Sequence, residues 1–127
     1  LRASLRTLPR LRAELDGEGP VEGHWLIVAR AGHYGGRFRV HPQAGLLHDR
    51  LGLVMVRQRW LLPFLLGHLG LNLHRERGGV ALRGFRHGRV ECEQPVPVQV
   101  DGEYFASGRS FELGLAPQTV RLCFPWR

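Results

Sequence analysis

Five leucines, Leu1, Leu5, Leu8, Leu11 and Leu15, recur at spacings of 3 and 4 with Arg2, Arg6, Arg10 and Arg12 between them, which is the period of an amphipathic helix. Pro9 interrupts the stripe, and Asp16-Gly17-Glu18-Gly19-Pro20 closes it as a turn, so residues 1–20 are expected to form a basic helical lead-in. From His24 the pattern changes to short apolar runs rich in β-branched and aromatic residues. HWLIVARA, RFRV and LVMVRQR read as strands, as do VALRGF, RVECE, VPVQV, FELGL and VRLCF, short pieces set off by Gly, Pro or Ser. One further helical pattern runs from Trp60 to Leu73, with Trp60, Phe64, Leu65, Leu69 and Leu73 in register and Pro63 in the first turn. Short strands separated by turn residues predict a mainly β fold over residues 21–127, an antiparallel β-sandwich or barrel carrying one or two short helices.

Composition narrows the class. With 127 residues, 43% hydrophobic and 23% charged, the chain is one domain long and has enough apolar surface for a core without staples. Its net charge of +7 comes from 18 arginines and no lysine. An arginine-rich surface invites nucleic acid or anionic lipid; a GC-rich coding sequence accounts for it as well, by writing every surface lysine as arginine. Few aromatics interleave with the arginines, so a stacking surface for single-stranded nucleic acid is not legible, and no specific nucleic-acid partner is expected. No apolar run reaches the roughly 18 residues of a membrane-spanning helix and no signal peptide is visible, which sets the expected location as cytoplasmic, or peripheral at the inner membrane face.

Several chemistries are absent from the sequence. The seven histidines form no H-x-x-x-H pair, Cys92 and Cys123 lack metal-ligand spacing, no G-x-S-x-G elbow occurs, and a phosphate loop ending in lysine is impossible without lysine. What remains is PVPVQVDGEYF, where an alternating strand meets Asp101-Gly102-Glu103. Asp-Gly between two strand-like runs is the strongest short hairpin signal. In extended backbone, by contrast, Asp101 and Glu103 would face one side as an acidic pair around a glycine that permits close backbone approach, an arrangement suited to phosphoryl transfer.

The wider order of motifs is more specific. It runs YGGRF-x-V-x-P-x-A, a short acidic turn, the strand LVMV, a helix, several strands, VPVQVDGE, and a last strand VRLCFP after Ala116-Pro117. This resembles the C-terminal domain of the lipid kinase family that includes diacylglycerol kinases, sphingosine kinases and their bacterial relatives, over roughly Val21 to Pro125. The resemblance implies a β-sandwich that completes a cleft with an N-terminal nucleotide-binding domain carrying G-G-D-G-T. That motif is absent here, and with Leu1 opening the chain inside a helical pattern, the sequence is expected to be the second domain of a longer kinase.

The implied activity is transfer of the ATP γ-phosphate to a lipid hydroxyl, with ATP and Mg²⁺ bound mainly by the other domain, a lipid substrate, an anionic membrane surface, and a homodimer as a candidate assembly. By similarity Glu103 is the proton acceptor, Asp101 positions it or reaches the metal through water, and Gly102 lies close to the cofactor. Bacterial relatives also hold a structural Mg²⁺ with an acidic residue and the carbonyls three before and two after it. The matching positions are His48, Gly45 and Arg50, with Asp49 where the family has glycine, a donor set poorly suited to Mg²⁺ unless Asp49 substitutes. Arg37 replaces the third glycine of the family's yGGG, and Arg30 replaces an asparagine. Two further readings stand beside the kinase: an inactive lipid-binding relative, and an arginine-rich domain binding nucleic acid through phosphates.

Overall fold

Alternation between inward and outward side chains marks the opening strand of the first sheet, and short apolar runs build the second. The structure, a computed structural model, describes residues 8–34, 38–59 and 79–119. The expected helix from Trp60 to Leu73, the final strand VRLCFP and Cys123 lie outside the described residues, as does the start of the lead-in, residues 1–7.

Strands β1 (Leu11–Leu15), β2 (Val21–Gly23), β8 (His87–Val100) and β9 (Glu103–Gly114) form one antiparallel sheet in the order β2-β1-β8-β9. Strands β3 (Trp25–Ala29), β6 (Leu51–Val56) and β7 (Val80–Phe85) form a second, in the order β3-β6-β7. The hairpin of β4 (His33–Tyr34) and β5 (Phe38–Arg39) stands apart from both. No helix occurs among the described residues, and none of them forms a span long and apolar enough to cross a membrane as a helix.

The lead-in is corrected by this architecture. Leu11–Leu15 is a strand whose side chains alternate buried and exposed, with Leu11, Ala13 and Leu15 inside and Arg12 and Glu14 outside. Leu11 and Leu15 satisfy a helical spacing and a two-residue spacing equally well. The choice falls to pairing: β1 is held on one side by β8, from Leu11 opposite Cys92 to Leu15 opposite Gly88, and on the other by β2. Pro9, which has no amide hydrogen, stands outside the strand.

The two sheets pack face to face. Leu11, Ala13, Leu15, Val21 and Val90 of the first meet Leu51, Leu53, Met55, Ala81 and Phe85 of the second in one buried cluster. A second cluster on the far side of β6 gathers Val40, Val54, Val56 and Val80, so all six residues of β6 are buried. That explains its unbroken apolar run. The chain crosses between sheets at His24, the single residue between β2 and β3. There His24 N–H donates to the Val56 carbonyl at 2.7 Å, and a Cβ on Gly23 would stand 2.5 Å from that same oxygen. Glycine is required by this close approach, because any side chain would push the sheets apart.

Candidate functional site

The longest strands in the structure, β8 and β9, run beyond the core as a hairpin that ends at Asp101-Gly102. Both turn residues have positive φ, 52° and 87°, and Val100 pairs with Glu103 across them. This is the two-residue turn whose twist matches that of the flanking strands, and the reason the sequence places Asp-Gly there. Asp101 therefore occupies the left-handed region and Glu103 opens β9, so the extended arrangement that would face both carboxylates to one side does not apply. Both side chains are exposed at the tip, and no described residue pairs with either. Val100, Tyr104 and Phe105 are exposed beside them at 52%, 68% and 71%.

Two irregularities shape this arm. Between Glu91 and Val96, β8 advances five residues while β9 advances two; between Val98 and Gln99, β9 carries one extra residue, Phe105. Such bulges sharpen twist and redirect a hairpin's end. Ser107 Oγ closes the arm laterally by donating to the Val96 carbonyl at 3.2 Å.

The second candidate region is the loop at residues 41–50, which precedes β6. Antiparallel pairing of β3 with β6 sets Ala29 opposite Gly52, so Arg30, the next residue, is delivered beside the end of this loop. Its guanidinium turns into the loop. Nη1 donates to the carbonyls of Gly45 at 3.3 Å and Arg50 at 3.2 Å and to that of His48, while Nη2 donates to Leu46 at 3.0 Å. The His48 amide closes a turn on Gly45, and its ring Nδ1–H donates to the Gln43 carbonyl at 2.7 Å. Asp49 is taken up by an ion pair with Arg86. The positions matched to the structural Mg²⁺ site, Gly45, His48 and Arg50, do come together, but their carbonyls face a guanidinium and the nearest carboxylate is engaged elsewhere. These residues do not fit Mg²⁺, which asks for oxygen ligands at close to 2.1 Å in an octahedron. Among the described residues no cluster of three His, Cys, Asp or Glu could hold a metal.

Two polar groups that the motifs do not single out also shape the region. The Asp16 carboxylate, at the positive-φ corner after β1, accepts from the amides of Arg86 at 3.1 Å and His87 at 2.9 Å, while its own amide donates to the His87 carbonyl at 2.8 Å. Those amide donors, led by His87, hold its carboxyl below the usual range. His41 is buried in the loop, its Nδ1 accepting from the Gln43 amide at 3.2 Å, and burial lowers its proton affinity against a smaller opposing effect of the Arg83 backbone. The signal for Asp16 is legible as a turn aspartate, whereas nothing local marks its partners 70 residues on. Cys92 is free, packs half-buried against the main core, and burial pushes its thiol up, which makes it a small apolar filler.

No protein-family model matches this sequence, and no curated protein matches it either. Solved structures do. A chain from Bacillus anthracis str. Sterne provisionally named a diacylglycerol kinase superposes with a TM-score of 0.63 at 18% identity, over 86% of this chain and 39% of that one. A diacylglycerol kinase of the same organism gives 0.61 at 16% identity, over 85% and 39%. A third, again carrying the provisional name, gives 0.62 at 18%, over 87% and 38%. The chain thus spans about two fifths of the length of these structures, and shares with that part of them its fold.

Proposed function

We propose that this chain is the C-terminal domain of an ATP-dependent lipid kinase of the diacylglycerol kinase type, and that the β8–β9 tip supplies the group that receives the lipid hydroxyl proton. The observation that carries the reading is the placement of Asp101-Gly102-Glu103 at the end of an arm that projects from a fold shared with diacylglycerol kinase structures. An exposed tip of this kind is half of a site. Whatever closes over it supplies the nucleotide and excludes water, which is what phosphoryl transfer asks of a protein beyond positioning. The collar of Val100, Tyr104 and Phe105 suits an apolar acceptor better than a water-soluble one.

In this reading the lipid hydroxyl oxygen bonds to the γ-phosphorus as the bond to the bridging oxygen breaks, ADP leaves with that electron pair, and the hydroxyl proton passes to Glu103. Asp101 holds the turn and orients its neighbour. Mg²⁺ bound with ATP would neutralise the phosphate charge. The replacement of an acidic residue by His48 supports a second reading, a lipid-binding relative without turnover.

The test uses the full-length protein, with any in-frame sequence that precedes Leu1, labelled ATP and diacylglycerol in mixed micelles. Label is expected in the lipid, and Glu103→Gln is expected to lower its rate by about 10²-fold or more at unchanged melting temperature. Retained turnover in that variant overturns the role of Glu103; a wild type that binds lipid and transfers no label supports the second reading.

A further inference from the structure

We propose that Arg30 is a built-in replacement for a structural divalent cation, so that the loop before β6 is held by the protein's own guanidinium and takes up no metal. The comparison with a metal rests on the kinase reading above; the geometry stands without it. Four carbonyl oxygens from a six-residue stretch, those of Gly45, Leu46, His48 and Arg50, point at one side chain. Carbonyls gathered in this way repel one another and create a negative pocket, so the turn is stable only around a positive charge. A guanidinium meets the need: it is always charged, and it offers five N–H donors in a rigid plane. Three of the four carbonyls converge on Nη1 and share its two N–H groups, and the fourth takes Nη2.

Charge balance points the same way. A carboxylate with a divalent cation carries a net charge of +1, which is the charge of one arginine. The position that would provide the carboxylate is His48, whose Nδ1–H is committed to the Gln43 carbonyl, and the adjacent Asp49 is neutralised by Arg86. Loss of the anionic ligand and gain of the tethered cation are therefore one exchange. The covalent tether also removes a binding equilibrium, so the loop does not depend on metal concentration.

The register explains why this position can do it. Arg30 follows β3 directly, and its partner strand β6 begins directly after Arg50, so the guanidinium needs only to turn sideways to reach the loop. The loop in turn packs Ala44 and His41 into the protein, and a Cβ on Gly52 would stand 2.5 Å from the His41 ring. Freeing the loop would disturb the start of β6.

The test is thermal melting of the full-length protein in EDTA and in millimolar MgCl₂, alongside two variants. Wild type is expected to melt at the same temperature in both, and Arg30→Ala about 5 °C or more lower in both. The exchange variant R30N/H48D is expected to melt higher in MgCl₂ than in EDTA. A wild type that EDTA destabilises, or an Arg30→Ala protein as stable as wild type, overturns the proposal. An exchange variant that folds and ignores Mg²⁺ overturns the equivalence of the two cations; if that variant does not fold, equilibrium dialysis of wild type against Mg²⁺ decides, with stoichiometric uptake counting against the proposal. None of these readouts involves kinase activity, so failure here and failure of the kinase reading are separable.

Discussion

Asp16 and His41 contribute pH dependence to this domain, beside Glu22, whose carboxyl the hydrogen bond from Arg10 holds low, and all act in the same direction. Each has a folded-state proton affinity below its ordinary value, Asp16 through the amides of His87 and Arg86 and His41 through burial. A group depressed in this way stabilises the fold above its unfolded value, and that stability is lost as pH falls through the folded one. The windows differ: for His41 the loss starts near the ordinary imidazole value of 6.5, and for Asp16 near the carboxylate value of 3.8. Urea denaturation followed downward from about pH 7 is expected to show both limbs, with His41→Gln flattening the first and Asp16→Ala the second. Asp16→Ala should also cost about 1 kcal/mol near neutrality, reduced from the worth of a buried charged hydrogen bond because this carboxylate is exposed. An unchanged acid limb in that variant would show that the β7–β8 corner does not depend on it.

Among the strands, two glycines separate conformational strain from steric collision. Gly102 has a φ of 87° with nothing within 4 Å of the place a Cβ would take, so Gly102→Ala should cost only the left-handed backbone, about 1 kcal/mol, and leave the core intact. A Cβ on Gly23 would stand 2.5 Å from the Val56 carbonyl oxygen and 2.7 Å from the Met55 side chain where the chain passes between sheets, and Gly23→Ala should cost about 3 kcal/mol or more. Chemical denaturation ranks the two, and equal costs would refute this account of the crossing. The strands also show what local pattern conveys. LVMV and VALRGF are legible as short, β-branched apolar runs, and the two sides of the Asp-Gly hairpin because alternation and turn chemistry agree. Leu11–Leu15 is not, since its leucines fit two periods and only the edges of β8 and β2 choose between them.

Among the described residues, four arginines are matched to carboxylates, which leaves the net charge of +7 unchanged. Arg10 pairs with Glu22, Arg12 with Glu14 at 3.0 Å, Arg86 with Asp49, and Arg89 lies between Glu91 and Glu112 at 3.4 and 3.8 Å. Such exposed pairs add little to stability. Two of the four arginines of the opening stripe, Arg10 and Arg12, are thus matched on the first sheet. An arginine near an anionic surface adds about 1 kcal/mol, roughly fivefold in binding, and removing Arg12 also leaves the Glu14 carboxylate unmatched, so Arg12→Ala should weaken partition of the full-length protein onto anionic vesicles by about fivefold. A loss of less than about twofold would mean that this face of the first sheet does not meet the membrane.

By itself the sequence determined the β class, the Asp-Gly turn and the position of the Asp101-Gly102-Glu103 tip, because each depends on neighbours within a few residues, where side-chain period and backbone preference act directly. Tertiary structure alone decided that residues 11–15 form a strand, that Asp16 holds a corner 70 residues away, and that Arg30 fills the loop that Gly45, His48 and Arg50 frame. The physical reason is common to all three. A hydrogen bond between distant segments is specified by the register of the strands that carry them, and register exists only once the sheets have assembled.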